Sequence, residues 1–348
     1  MSHVVSCEFC QASLQQLAEP LAGFAPALVQ LAAMLNSSAL QDRLDGLKLQ
    51  RPSPQPRHPA QHEDLRPWID EGETPLGRVD QYDLIRCLGR GGMGVVFEAF
   101  DRELQRTVAI KLMSPALLVD ATYSERVLRE ARAVAAVDCP SVVKIFAVSK
   151  IRDLPYLVME FVEGESLQQR LDRLPALGMK SVIQIASNLA EGLAAAHDVG
   201  VIHRDIKPAN VLIRAETGEA TITDFGLALR ASQYPITRTG VLIGTPEYLA
   251  PEQVDGKTVD HRSDLFSLGS LLYQLCAGTP PFSETTLVAT LKAVTTNKPV
   301  ELAKRVPSVP GWFSELVSRM HEKNPCDRIQ TATEVVEILE HRNVCIES

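Results

Sequence analysis

From Tyr82 onward the chain alternates short runs of β-branched and aromatic residues with turn residues: YDLIRCL, VVFEAF, TVAIKLM, VVKIFAV and YLVMEFV. Runs of this composition and length, bounded by turn residues, predict strands, and together they look like an antiparallel, five-stranded sheet. Between the third and fourth runs, SERVLREARAVAAV places Val127, Ala131, Val134 and Ala135 on one face of a helix, the pattern of a helix packed on that sheet. Beyond Gly164 the apolar spacing lengthens. MKSVIQIASNLAEGLAAAHDVG, SDLFSLGSLLYQLCAG, GWFSELVSRMHEKNP and TATEVVEILEHR predict helices. The expectation is an α+β fold in two lobes, a small β-rich lobe over 78–162 and a larger, mainly helical lobe over 163–343.

Residues 1–77 read differently. Residues 11–49 carry Leu, Ala and Val at helical spacing, interrupted by Pro20 and Pro26, which predicts a helical segment within 1–50. Residues 51–77 are rich in Pro and charge and poor in aliphatics, the composition of a linker. A formal charge of −8 and a pI near 5.6 argue against nucleic-acid binding, which needs clustered Lys and Arg for phosphate contacts. Seven scattered cysteines, Cys7 to Cys345, make no disulfide framework and suit a reducing, cytoplasmic setting. The longest uncharged run, from Leu21 up to Asp42, is broken by Pro26, Gln30, Asn36 and two serines. It predicts no membrane span. The chain stops at Ser348, soon after the last predicted helix, which reads as a soluble form.

Candidate chemistry clusters in four places. LGRGGMGVV sets Gly89, Gly91 and Gly94 between two strand runs; without a Cβ, backbone N–H groups there can approach phosphate oxygens. A dinucleotide-binding glycine motif opens a helix, whereas VVFEAF continues as a strand, so a hairpin over a nucleotide triphosphate fits better. Lys111 ends VAIK, and Glu130 on the next helix is placed to pair with it and aim it at phosphate. VIHRDIKPANVLI sets Asp205, Lys207 and Asn210 between two apolar runs that anchor them. Phosphoryl transfer needs a carboxylate for the attacking hydroxyl, a cation near the moving group and oxygen ligands for Mg²⁺. TITDFGLA then adds Asp224 as a second carboxylate.

GRGGMGVV, VAIK, REAR, HRDIKPAN, DFG and GTPEYLAPE stand in the order and spacing of the protein-kinase signature set. The chain from about Tyr82 to Arg342 resembles a eukaryotic-type serine/threonine protein kinase, most similar to the bacterial branch of that family. The resemblance implies a set of roles. Asp205 is the catalytic base, Lys207 contacts the γ-phosphate, and Asn210 and Asp224 hold Mg²⁺, with Mn²⁺ as its substitute. Lys111 contacts the α- and β-phosphates of ATP and pairs with Glu130. Leu88 and the glycines cover the nucleotide; Val96, Ala109 and Leu212 sandwich adenine; Glu160 and Val162 meet its edge through the backbone, beside Met159 as gatekeeper. Lys207 and Thr245 are the serine/threonine-type choices. His203 and Phe225 match an internal hydrophobic spine, Asp264 the helix residue that holds the catalytic-loop backbone, and Glu252 with Arg328 a structural ion pair.

The resemblance also implies protein substrates with Ser or Thr acceptors and a transient homodimer for trans-autophosphorylation. Thr237 and Thr239 stand where activation-segment phosphosites occur, and Arg204 is the residue such a phosphate would neutralise. The alternatives are a catalytically silent scaffold, or a zinc- or redox-sensing protein with a kinase output. His3, Cys7 and Cys10 resemble the last part of a zinc-binding module of anti-sigma factors, yet a structural Zn²⁺ site needs four ligands, so a reduced cysteine pair stands as the alternative.

Overall fold

In the computed structural model, which describes residues 63–72, 74–91, 94–115, 121–174, 176–225 and 245–343, all five strand-like runs form strands. With β1 (Arg78–Val79), β2 (Tyr82–Gly91), β3 (Gly94–Asp101), β4 (Arg106–Met113), β5 (Ile145–Ile151) and β6 (Leu154–Glu160), the antiparallel sheet runs β1-β2-β3-β4-β6-β5. The sixth strand, beyond the five expected, exists because Asp80 adopts a positive φ of 50°. That turn folds Arg78 and Val79 back onto Asp83 and Tyr82. The helix α1 (Ala121–Val134) begins three residues before its predicted start and buries Val127, Leu128, Ala131 and Val134. It ends by tightening, as the N–H groups of Ala136 and Val137 reach back only three residues.

The fourth apolar run divides its work. Its first residues join the second lobe instead of the sheet: Val142 bridges Ile222 in parallel, the Val143 N–H donates to the Ile222 carbonyl at 2.9 Å, and the Ile222 N–H donates to the Ser141 carbonyl at 2.8 Å. Gly192 lies beneath this seam, where a Cβ would sit 2.9 Å from the Ser141 carbonyl oxygen.

The expected linker is shorter than its composition implied. Glu63–Trp68 forms a 3₁₀ helix whose Leu65 is 1% exposed in the same apolar cluster as Val79, Leu84, Phe97 and Ile110, with Trp68, Ile69 and Leu76 packed against it. Asp70 and Arg78 exchange two backbone hydrogen bonds of 2.8 Å. Arg152, in the β5–β6 turn, donates to the Pro67 carbonyl and the Asp70 carboxylate, while the Trp68 indole donates back to the Arg152 carbonyl at 3.2 Å. A few well-spaced apolar side chains in a Pro-rich stretch thus suffice to cover one face of the sheet, which a composition average hides.

In the second lobe β7 (Gly164–Ser166), β8 (Val211–Arg214) and β9 (Ala220–Ile222) make a three-stranded sheet in that order. Its helices are α2 (Leu167–Arg173), α3 (Met179–Asp198), α4 (Pro251–Val254), α5 (Arg262–Ala277), α6 (Leu287–Thr296), α7 (Leu302–Arg305), α8 (Gly311–Met320) and α9 (Ala332–Asn343). The Thr- and Val-rich α6 escaped prediction because β-branched residues weaken the helical signal; Thr286 caps it, its hydroxyl accepting the Ala289 N–H at 3.2 Å.

Helix α5 is buried from Ser263 to Cys276, so its polar side chains need partners inside the protein. Ser263 donates to the Glu252 carboxylate at 2.5 Å, Ser267 to the Tyr248 carbonyl at 2.7 Å, and Gln274 accepts from the Tyr248 hydroxyl. Glu252 meets Arg328 in a two-pronged pair of 2.7 and 2.6 Å, with side chains 5% and 0% exposed. Burial pushes the Glu252 carboxyl up, but the Arg328 hydrogen bonds and charge, joined by Ser263, outweigh it and hold the group below its ordinary 4.5.

Two outcomes follow from this packing. Leu65→Ala should cost about 2–5 kcal/mol in urea unfolding, whereas an exposed linker residue would give close to nothing. Arg328→Met should cost about 3–5 kcal/mol, with much of it recovered when Glu252 is also made Met. Because the folded carboxyl titrates below its unfolded value, the wild-type protein has this stabilisation above pH 4.5 and loses it as the pH falls through the depressed folded value. The acid limb of the stability–pH curve should therefore flatten in the double variant.

Candidate active site

The loop before β8 owes its shape to α5. The Asp264 carboxylate, 0% exposed, accepts the backbone N–H of His203 at 2.8 Å and of Arg204 at 2.7 Å, and a third hydrogen bond of 2.8 Å from His197 Nε2 at the end of α3. Arg204 is thereby held at a φ of +68°, a backbone region that non-glycine residues rarely enter. His203 is fully buried. Its Nδ1 accepts the Asp205 N–H at 3.2 Å, so Nε2 carries the proton and donates to the Thr223 carbonyl at 3.0 Å. Burial depresses its pKa and keeps it neutral, despite the nearby carboxylates. Its ring lies 4.6 Å from that of Phe225.

Asp205 is 9% exposed. Its Oδ2 accepts both Lys207 Nζ at 2.7 Å and Asn210 Nδ2 at 2.9 Å, and Asn210 Nδ2 also donates to the Asp205 carbonyl at 2.8 Å. With both N–H bonds of the Asn210 amide engaged, the group it offers a ligand is its oxygen. The Thr223 N–H donates to the Asn210 carbonyl at 3.0 Å, which brings Asp224 alongside. Asp224 has a φ of +57° and accepts Lys111 Nζ at 2.7 Å. Burial raises its carboxyl pKa, but the Lys111 charge and hydrogen bond overcome that and leave it below the carboxylate norm.

Lys111 reaches this point from β4, whose residue Ala109 pairs with Met159 of β6. Lys111, Leu157, Met159, Asp224 and Phe225 line one pocket at the junction of the lobes. Glu130 is half-buried on α1. Leu88, Val96 and Ala109 from the first lobe and Leu212 from the second share one apolar cluster with Val162. Glu160 ends β6, and its carboxylate takes Arg214 of β8 at 2.7 Å across the connection. The resemblance had supplied only its backbone; this ion pair needed the register of β8. His197 was likewise missed, since a histidine at a helix end has no signal of its own.

The β2–β3 hairpin pairs Gly89 with Val96 and Gly91 with Gly94. Gly94, at a φ of +147°, packs so tightly that a Cβ would sit 2.0 Å from the Leu112 carbonyl oxygen, whereas a Cβ at Gly89 or Gly91 would meet nothing within 4 Å. The first is required by the close approach of β4, to which Leu112 belongs. The other two leave open space beside their backbone among the described residues. These residues fit a nucleotide, and an amide oxygen beside a carboxylate fits the hard-oxygen preference of Mg²⁺. Among the described residues no group of three or more His, Cys, Asp or Glu is arranged for a metal, and no helix is long and apolar enough to cross a membrane. His3, Cys7, Cys10, Thr237 and Thr239 lie outside the described residues.

Comparison with known proteins places these features. A probable serine/threonine-protein kinase of Clostridium perfringens is 35% identical over 267 residues, covering 76% of this chain and 39% of its own length. The serine/threonine-protein kinase PknB of Mycobacterium tuberculosis is 36% identical over 268 residues, 75% of this chain and 43% of its own. The chain thus spans about two fifths of the length of these curated relatives. The crystal structure of the Mycobacterium tuberculosis PknI kinase domain superposes with a TM-score of 0.61 at 27% identity, over 75% of this chain and 96% of that one. Residues 82–342 match the model of the protein kinase domain, a family that works with ATP and a divalent metal on protein substrates, and to that family this chain belongs.

Proposed function

We propose that this protein is a serine/threonine protein kinase that transfers the γ-phosphoryl group of MgATP to Ser or Thr hydroxyls of other proteins. The observation that carries the reading is the sharing of Asp205 Oδ2 by Lys207 and Asn210, with Asp224 held next to them through the Thr223–Asn210 hydrogen bond. Bound MgATP supplies the transferable phosphoryl group and the cation that neutralises charge on it. The rest falls to the chain. With Oδ2 occupied by two donors, Asp205 has Oδ1 to receive the proton of the acceptor hydroxyl. Lys207, anchored on that carboxylate, puts a positive charge beside the acceptor. Asn210 and Asp224 are the metal ligands.

Lys111 is the phosphate-binding cation, with Glu130 as its carboxylate partner and Asp224 as its contact here. Gly89, Gly91 and Gly94 form the cover over the phosphates, with Leu88 at its base. Val96, Ala109 and Leu212 make the apolar slot for adenine, whose edge meets the backbone of Glu160 and Val162. Mn²⁺ replaces Mg²⁺ with the same oxygen donors. Thr237 and Thr239 are autophosphorylation sites, and the phosphate neutralises Arg204, with two copies meeting transiently to exchange it.

Incorporation of γ-labelled phosphate into the protein and a generic Ser/Thr substrate tests the reading. Asp205→Asn should lower the rate by about 10²- to 10⁴-fold, and chelation of divalent metal should abolish it. Equal labelling by wild type and variant would reject Asp205 as the base. In active wild-type protein, phosphosite mapping should find Thr237, Thr239 or both; label confined to other residues would remove them from the scheme.

A further inference from the structure

The peptide unit that carries Asp205 is held at both ends by side chains. Its N–H, belonging to Asp205, donates to His203 Nδ1 at 3.2 Å. Its carbonyl, belonging to Arg204, accepts Gln253 Nε2 at 2.9 Å. Gln253 comes from α4 and is 8% exposed. Its other amide atom, Oε1, accepts the Ala250 N–H at 2.9 Å. One planar group therefore joins the loop before Asp205 to the stretch Thr245–Ala250, which precedes α4.

The chemistry of the two partners dictates the residue. A backbone N–H only donates and a backbone carbonyl only accepts, so the group between them must offer one acceptor and one donor in one plane. A carboxamide does this, a carboxylate supplies only acceptors, and an alkyl group neither. The length matters too, because the side chain has to reach back to Ala250 and across to Arg204 from a buried position. The constraint falls on a left-handed residue: Arg204 sits at a φ of +68°, its N–H fixed by Asp264 at 2.7 Å. Asp264 clamps the amide side of this residue, and Gln253 clamps its carbonyl side.

We propose that Gln253 is a positioning residue for phosphoryl transfer, which sets the orientation of the Arg204–Asp205 peptide and so aims the Asp205 carboxylate, and which ties that aim to the placement of Thr245–Ala250. The inference rests on the kinase reading of the site. Gln253 itself touches neither nucleotide nor metal.

Gln253→Glu and Gln253→Met separate this role from mere packing. At pH 8 the carboxylate of Gln253→Glu faces the Arg204 carbonyl with no proton to give, and kcat should fall roughly tenfold, the scale of a lost buried hydrogen bond, with KM for ATP unchanged. Gln253→Met, uncharged and of similar length, should lose a comparable factor, again with KM for ATP unchanged. Hydrogen exchange of the 203–206 amides in nucleotide-free protein gives a readout independent of turnover: the Asp205 amide should exchange faster in Gln253→Met than in wild type. Wild-type kcat in both variants or unchanged Asp205 exchange would each overturn the proposal. Should wild type itself transfer no phosphate, the kinase reading fails, and the exchange experiment still decides whether Gln253 holds the peptide.

Discussion

A carboxylate with no exposure to water, Asp264, organises the larger lobe of this molecule around the loop before β8. Burying such a charge costs several kcal/mol unless its lone pairs are met by donors, and here three N–H groups meet it: two from the backbone of His203 and Arg204 and one from the His197 ring. The demand runs in both directions. The carboxylate is tolerable inside α5 because the loop supplies donors, and the loop keeps Arg204 in a left-handed conformation because the carboxylate fixes its N–H. Strain of this kind persists only where the surroundings over-determine it. The side chains of Asp205, Lys207 and Asn210 inherit their placement from that arrangement.

Helix α5 extends the same principle along its length. A helix buried on all sides is usually apolar on all sides, yet this one carries Ser263, Asp264, Ser267, Ser270 and Gln274 in its interior. Each is a fixed attachment point for a segment with little regular structure of its own: Glu252 through Ser263, Tyr248 through Ser267 and Gln274, and His321 through Ser270. Polar groups inside a core are specific because each accepts only partners of the right kind and direction. The stretch around α4 is therefore located by hydrogen bonds as much as by apolar contact.

The architecture was legible because its signals are repetitive. Strands β2 to β6 are runs of β-branched and aromatic residues bounded by turns, helices α3, α5, α8 and α9 carry apolar patterns long enough to read, and the glycine, lysine and carboxylate motifs fall at spacings that few folds share. What escaped was set by single long-range contacts. Leu65 looks like any leucine in a Pro-rich tract until the sheet beneath it is known, and Val142 reads as the start of a strand although its partner is Ile222 in the other lobe. Gln253, His197 and Arg214 gain their meaning from residues 49, 67 and 54 positions away. No local window contains that information.

The seam between Ser141–Val143 and Ile222 has a mechanical consequence. It fastens the run-in to β5 onto β9, two residues ahead of Asp224, so one side of the cleft acts as a pivot. Lys111 stands on the central strand β4 of the smaller lobe, and its 2.7 Å contact with Asp224 spans the cleft near that pivot. A rocking of the small lobe would thus swing the glycine hairpin through a wide arc while Asp224 stays almost still, and the Lys111–Asp224 separation becomes a built-in gauge of how far the jaws are shut.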